Sequence, residues 1–505
     1  MKDTLNLPET EFPMKASLTK AEPKMLEWWA KEKIYEEIRE SSKGKEKFVF
    51  HDGPPYANGH IHMGHALNKI LKDFIVKIMG MKGYDAGFIP GWDCHGLPIE
   101  HQVGKKLKEK KMSLEKSAIR KQCRSYAQDF VSIQRDEFKR LGIFADWDNP
   151  YLTMDYSYEA TIVREFGKFV EKGMVYKGLK PVHWCTSCRT ALAEAEVEHA
   201  DHTSPSIYVK FEIKSGVPNS MGDLGKVYMV IWTTTPWTLP ANLAISLHPE
   251  FQYVAVAIND EVLIVAEERL SSLILEWDVN EYKVLGVCKG KEWETAICQH
   301  PFINRDSKVI LGDHVTLEQG TGCVHTAPGH GQDDYIVGLK YGLEPYNPVD
   351  DGGVFRNDVE HFAGMFVRKA NPEIIEKLKG DGFLIHKEDI QHSYPHCWRC
   401  HQPVIFRATN QWFISMEKED LRKKALAGIE RTKWIPDWGM GRIYNMIENR
   451  PDWCVSRQRA WGVPITLCTC IECGELVDTK NVFERAVEGV KKQGAEFWFE
   501  TPIAD

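Results

Sequence analysis

Two Cys-x-x-Cys hooks, Trp184-Cys185-Thr186-Ser187-Cys188 and His396-Cys397-Trp398-Arg399-Cys400, stand roughly 200 residues apart in this chain, a span that accommodates an independently folded insert. Each hook offers two thiolates, and four thiolates close one tetrahedral zinc site. If one ion joins the hooks, the intervening chain must leave the parent fold and return to the point it left. Cys185, Cys188, Cys397 and Cys400 are therefore the expected Zn2+ ligands. A third cluster, Cys468-Thr469-Cys470-Ile471-Glu472-Cys473-Gly474, has the form of half a zinc knuckle. Cys470 and Cys473 are uncertain ligands there, since their partners would have to lie beyond residue 505.

Between the hooks the chain is rich in short β-favouring runs. Ser206 to Ile213, Val227 to Thr233, Tyr253 to Ile258, Val262 to Val265 and Val309 to Leu311 are separated by Gly, Pro, Asn and Asp, which predicts a compact β-dominated insert. Two segments carry more polar chemistry than a plain barrel needs: Trp232-Thr233-Thr234-Thr235-Pro236-Trp237-Thr238-Leu239-Pro240-Ala241-Asn242, and GTGCVHTAPGHGQDDY from Gly320 to Tyr335.

The region before the insert alternates differently. Lys47-Phe48-Val49-Phe50-His51 reads as a strand that must stop at Gly53-Pro54-Pro55. His62-Met63-Gly64-His65 then opens a helix in which Leu67, Ile70, Leu71, Phe74, Ile75, Ile78 and Met79 recur at helical spacing, predicting one apolar face packed on a sheet. Tyr84 to Pro90 is the next strand. The sum is a βαβ unit, a piece of α/β fold with a parallel sheet, whose helix aims its N-terminus at the crevice where such folds bind ligands. Unpaired N–H groups there suit a phosphate. Gly64 has no Cβ to block a flat base, and His62 and His65 can donate to a phosphoryl group as charge builds on it. Asp93, just past the second strand, sits at the same carboxyl edge.

These motifs, in order, resemble those of the class I aminoacyl-tRNA synthetases, from GPPYANGHIHMGHALNKILKD onward. The loop PGWDCHGLPIE (Pro90 to Glu100) is most similar to the isoleucine-specific branch of the editing members. The resemblance runs to about residue 475. It implies a Rossmann-like parallel-sheet catalytic domain interrupted by a β-rich editing domain with zinc ribbon elements, divided as 1–194, 195–393 and 394–505. It also implies ATP-dependent attachment of isoleucine to its tRNA, with ATP taken as its Mg2+ complex and hydrolysis of mischarged valyl-tRNA. By the same resemblance His62, Gly64 and His65 are catalytic, Asp93 holds the amino acid's ammonium, and Pro54 lines its side-chain pocket. Editing falls to Thr233, Thr234, Thr235 and Thr238, with Asp334 on the ammonium and His325 blocking a bulkier side chain. One methylene gives only about 10–200-fold discrimination, a limit of which this enzyme family is itself the standard illustration, so a second sieve is needed. A valine-specific ligase and an editing-only deacylase are the other readings.

Asp452-Trp453-Cys454-Val455-Ser456-Arg457-Gln458-Arg459-Ala460-Trp461-Gly462 resembles the family's Ser-Arg-Gln-Arg-x-Trp-Gly stretch. Its arginines suit either the tRNA acceptor end or structural ion pairs. Lys111-Met112-Ser113-Leu114-Glu115-Lys116-Ser117 mimics the family's lysine loop but comes too soon after His65. Ser113 is better read as the N-cap of a long amphipathic helix ending near Gly142. With the true lysine loop unmatched, the chain reads as the N-terminal portion of a longer enzyme whose synthetic site it holds only in part. A net charge of −8 over 505 residues excludes indiscriminate nucleic-acid coating, and the basic run Lys105 to Lys111 is a solvated helix face. The polar start MKDTLNLPETEFPMK and the lack of any run of eighteen apolar residues predict a cytoplasmic protein with no membrane partner. A monomer is expected, though no residue pattern in the sequence specifies it.

Overall fold

The computed structural model describes residues 11, 15–109, 115–477 and 479–502. The chain divides into two compact units, Met1–Glu171 with Arg459–Asp505, and Lys172–Gln458. No helix among the described residues is long and apolar enough to cross a membrane.

In the first unit the expected parallel βαβ arrangement is present in reduced form. Lys47 bridges Asp85, Phe50 bridges Phe88 and Tyr56 bridges Asp93, all in parallel, and Gly91–Trp92 pairs in parallel with Tyr151–Leu152. The helix Met63–Met81 makes the crossover. The long amphipathic helix is Lys116–Arg140, followed by Gly142 at φ 75°. Its expected cap, Ser113, and most of the lysine-loop mimic fall at positions 110–114, outside the described residues. Phe88, Trp92, Ile99, Cys123, Phe138 and Trp461 pack the core of this unit.

The apolar face expected to bury the helix Met63–Met81 does not do so. Leu67, Leu71, Phe74, Ile75 and Ile78 are all exposed, Leu67 by 62% and Phe74 by 55%, whereas Lys69, Asp73 and Val76 are buried. Specific polar pairing holds the opposite side of the helix in the unit. Lys69 and Lys72 both bind Asp52, whose side chain is fully enclosed, and Asp73 accepts the Phe144 N–H at 2.9 Å. Hydrophobic periodicity marks a face that wants cover but does not say which face the neighbouring strand supplies.

The second unit holds two sheets. A small antiparallel sheet runs in the order Trp453–Cys454, Ile405–Ile414, Val175–Cys185, Thr190–Leu192. The larger sheet closes on itself. Val227–Thr233 neighbours Cys323–Thr326, then Ala244–Leu247, Asp306–Leu311, Ile297–Gln299 and Val197–Ser215, which pairs back with Val227–Thr233. Glu261–Ala266, Gln252–Ile258 and Lys283–Lys289 extend it on one side, and Leu384–Cys397 lies along Val197–Ser215. All five strands predicted in this region are present. Closure pairs the strands of the ring on both sides and leaves Lys283–Lys289 and Leu384–Cys397 as the outer edges, and Phe211, Met229, Ile231, Ile245 and Leu247 belong to the core.

The Asp52 cluster sets a measurable cost. Asp52→Ala leaves Lys69 buried without its counter-charge, so urea unfolding of the chain should lose about 3–5 kcal/mol. A loss below about 1 kcal/mol would mean that the lysines find other partners.

Candidate functional site

Both cysteine hooks end strands of the second unit. Cys185 closes Val175–Cys185 and turns back through Arg189 at φ 51°, while Cys397 closes Leu384–Cys397 and turns through His401 at φ 54°. The pairing of Cys397 with Val197, only a short way past the first hook, draws the second hook onto it. The four Sγ atoms all lie within 4.8 Å of one another, with Cys185 and Cys400 at 3.4 Å. A tetrahedral ion with bonds of about 2.3 Å requires sulfur separations near 3.8 Å, so the cluster fits a metal. Hydrogen bonding with Cys185, then Cys188, holds the Cys400 thiol below its usual range. It is the one such cluster of three or more His, Cys, Asp or Glu ligands among the described residues. Cys470 and Cys473 instead form a tight knuckle, with Thr469 bridged to Leu476 and the Gly474 N–H donating to the Cys470 carbonyl at 2.9 Å.

The polar segments between the hooks line a cavity of about 430 Å³. Thr233, Thr234, Thr235, Thr238, His325 and Asp334, the residues singled out from the sequence, all border it. Register brings them together. Val324 pairs with Trp232 and His325 with Ile245, setting the end of the threonine strand beside the histidine strand. Thr238 donates its hydroxyl proton to the Thr235 carbonyl at 2.8 Å, so its oxygen accepts from His325 Nε2 at 2.9 Å. His325 Nδ1 is then an acceptor, met by Asn242 Nδ2 at 2.8 Å, which also donates to the Ala244 carbonyl. The histidine is therefore a neutral, clamped wall. Burial keeps its pKa near 3, and with both nitrogens engaged it has no role as a base.

Asp334 stands in the first turn of the helix Gln332–Lys340 and accepts the Ala327 N–H at 2.7 Å. Its side chain is partly open to the cavity yet deep among protein atoms, and burial pushes its carboxyl up to about 7. A Cβ on Gly331 would stand 2.8 Å from the Asp334 carboxyl carbon, which accounts for glycine there. Two participants were missed as individual residues. Asn242 fixes the His325 tautomer. His330 lines the same cavity, donates from Nδ1 to the Phe406 carbonyl at 2.8 Å and leaves its buried Nε2 without a partner. Only the hydrogen-bond network distinguishes them from ordinary polar residues.

In the first unit His62 caps the helix Met63–Met81. The Gly64 N–H donates to His62 Nδ1 at 3.1 Å and the His62 N–H to His65 Nδ1 at 3.2 Å. Both neutral rings thus keep Nε2–H as an outward donor. Burial, then the nearby His62, lowers the pKa of His65. A Cβ on Gly64 would come within 2.9 Å of the His62 ring, so the glycine serves this cap. Pro54 and Asp93 fall on neighbouring segments, with the Asp93 N–H donating to the Pro55 carbonyl at 2.9 Å. Burial raises the Asp93 pKa, opposed by its bond from the His95 N–H. The arginines of the Ser-Arg-Gln-Arg stretch are held in the fold. Arg457 forks onto Glu196, and Arg459 lies 3.5 Å from Glu100. In the basic run, Lys106 lies over the Tyr126 ring.

A family profile described as tRNA synthetases class I (I, L, M and V) matches residues 24–505. The isoleucine–tRNA ligase of Syntrophotalea carbinolica is 55% identical over 506 aligned residues, covering 100% of this chain and 55% of that protein. The isoleucine–tRNA ligase of Geobacter sulfurreducens gives the same identity and coverage. The chain thus spans about half the length of the curated relatives it matches. A LeuRS from Agrobacterium radiobacter, solved in a ternary complex with tRNA and LeuAMS, aligns with a TM-score of 0.36 at 16% identity, over 92% of this chain and 53% of that one. With the profile matched over nearly its whole length, this chain belongs to the class I tRNA synthetases of the I, L, M and V group.

Proposed function

We propose that this chain contributes to an isoleucine–tRNA ligase one wall of the site for ATP and isoleucine, together with a hydrolytic site that removes valine from the isoleucine tRNA. The observation that carries the reading is the cavity in which four threonine hydroxyls, a clamped neutral histidine and a buried carboxylate converge. An aminoacyl ester is already activated, so orientation of ester and water supplies much of the rate. Asp334 pairs with the α-ammonium, Thr233, Thr234 and Thr235 donate to ester oxygens and order water, Thr238 holds the His325 ring, and that ring sets the depth available to the side chain. Valine fits above it; isoleucine's extra methylene does not. The division into 1–194, 195–393 and 394–505 belongs to the same reading, as do the monomeric state and cytoplasmic location. In the first unit, the Nε2–H groups of His62 and His65 face the phosphates of ATP bound with Mg2+, and Asp93 takes the ammonium of isoleucine. Zn2+ held by the four cysteines ties the ends of the insert together.

The editing role is tested with the whole chain and tRNA charged with either amino acid. Valyl ester should be hydrolysed in preference to isoleucyl ester, and Asp334→Ala should lower the rate about a hundredfold or more. Because burial raises the Asp334 pKa to about 7, the carboxylate form is lost as pH falls through that value. KM for valyl-tRNA should accordingly rise between pH 8 and pH 6, and Asp334→Asn should flatten the dependence. His325→Ala should admit the isoleucyl ester; continued complete sparing of it would remove the size-filter role.

Elemental analysis should find one zinc per chain, lost on Cys397→Ser. Metal-replete protein without zinc would rule the site out.

Synthesis is read by ATP–pyrophosphate exchange. Residues 1–505 should bind ATP weakly, less so after His65→Ala, and should give no isoleucine-dependent exchange, because the lysine loop that neutralises the departing pyrophosphate has no match in this sequence. Exchange that survives repurification would place that function within the chain, and its preference for isoleucine or valine would identify the ligase.

A further inference from the structure

The loop 56–61, which leads into His62, is gripped along its length by one face of the helix Lys116–Arg140. Tyr126, Phe130, Gln134 and Glu137 follow one another at helical spacing, so their side chains rise from the same side. Each meets the loop. The Tyr126 hydroxyl donates to Asn58 Oδ1 at 2.9 Å. The Phe130 ring stands edge-on to the His60 ring, with centroids 6.1 Å apart. Gln134 Nε2 donates to the Tyr56 carbonyl at 3.1 Å and to the Gly59 carbonyl at 2.8 Å. Glu137 accepts the Ile61 N–H at 2.9 Å with one oxygen and the His60 Nδ1–H at 2.5 Å with the other.

Two of these side chains do more than pack. Gln134 is fully buried, and its orientation is fixed. An indole N–H can only donate, and that of Trp92 meets Gln134 Oε1 at 3.0 Å, so the amide NH2 is turned to the loop with both protons in use. Trp92 precedes Asp93, and this one amide therefore ties the loop to that strand end as well. Glu137 acts at the last residue before the helix cap. Bonds from the His62 N–H and the Gly64 N–H hold the two histidine rings, and the direction of those bonds follows the backbone that Ile61 delivers.

We infer that Gln134 and Glu137 are positioning residues of the nucleotide site, holding the loop 56–61 so that the Nε2–H groups of His62 and His65 point where a phosphate arrives. The inference rests on the reading of His62 and His65 as ATP ligands and adds the residues that aim them. Their effect is pre-organisation: a loop already in place loses little freedom when ATP binds.

Binding of Mg2+-ATP to the whole chain, by equilibrium dialysis, is measured beside the urea midpoint of each variant. Glu137→Ala should raise the ATP dissociation constant about fivefold, and Glu137→Gln, which keeps an oxygen for the Ile61 N–H, should return it to within about twofold of the wild-type chain. The Glu137 side chain is 28% exposed, so neither change should cost the fold. Gln134→Glu should bind ATP poorly at about pH 8, where a carboxylate faces two carbonyls, and recover toward about pH 6 as the buried acid takes up a proton that it can donate to one of them. Gln134→Leu should show no such recovery. ATP binding unchanged by Glu137→Ala, an equal loss in Glu137→Gln, or a flat pH profile for Gln134→Glu would overturn the inference while leaving His62 and His65 in their roles. If the wild-type chain binds no ATP, or binds it as well after His65→Ala, the nucleotide reading itself fails, and this inference fails with it.

Discussion

The register of one antiparallel ladder governs the second unit. Residues of Leu384–Cys397 pair in sequence with Val197–Ser215 until Cys397 meets Val197. Because side chains alternate along a strand, a slip of one residue would turn each cysteine and each core residue to the wrong face. In the observed register the second hook arrives beside the first, and the barrel seam between Val197–Ser215 and Val227–Thr233 carries the threonines to the cavity rim. Cysteine cluster and cavity therefore depend on the same pairing. A thiolate-bound ion would reinforce at the end of the ladder what the backbone bonds establish along it.

The cavity illustrates how a weakly basic side chain becomes rigid. His325 has both nitrogens in use, one toward Thr238 and one toward Asn242. Thr238 has spent its proton on the Thr235 carbonyl, and this fixes the direction of the whole chain of bonds. A ring held at both nitrogens keeps its orientation. Asp334 differs. It accepts the Ala327 N–H, and desolvation leaves its charged form at a cost that a neighbouring cation would relieve. Rigid wall and responsive charge thus sit in one hollow.

Spacing and composition were sufficient for the elements whose logic is local. The hooks, the β-strands between them, the threonine strand, the helix start at His62 and the helix ending before Gly142 can all be read from residue order, since turns, caps and strand runs are decided by neighbours in the chain. Asp334 and His325 came from resemblance, and geometry gives each a distinct physical character. The helix Met63–Met81 resisted this reasoning. Its apolar spacing is in the sequence, yet the side that is buried is the polar one, held by Asp52 and the Phe144 N–H, while Leu67 and Phe74 are exposed.

What the sequence determined by itself was therefore the kind of chemistry: thiolate pairs able to grip a soft metal, hydroxyls beside a carboxylate, and histidines at a helix start. The tertiary structure decided which of these meet and in what state. The tautomer of His325, the raised pKa of Asp334, and the structural use of Arg457 and Arg459 all arise between residues far apart in the chain. Protonation state and electrostatic field are set by desolvation and by neighbours in space, and a linear order of residues carries neither.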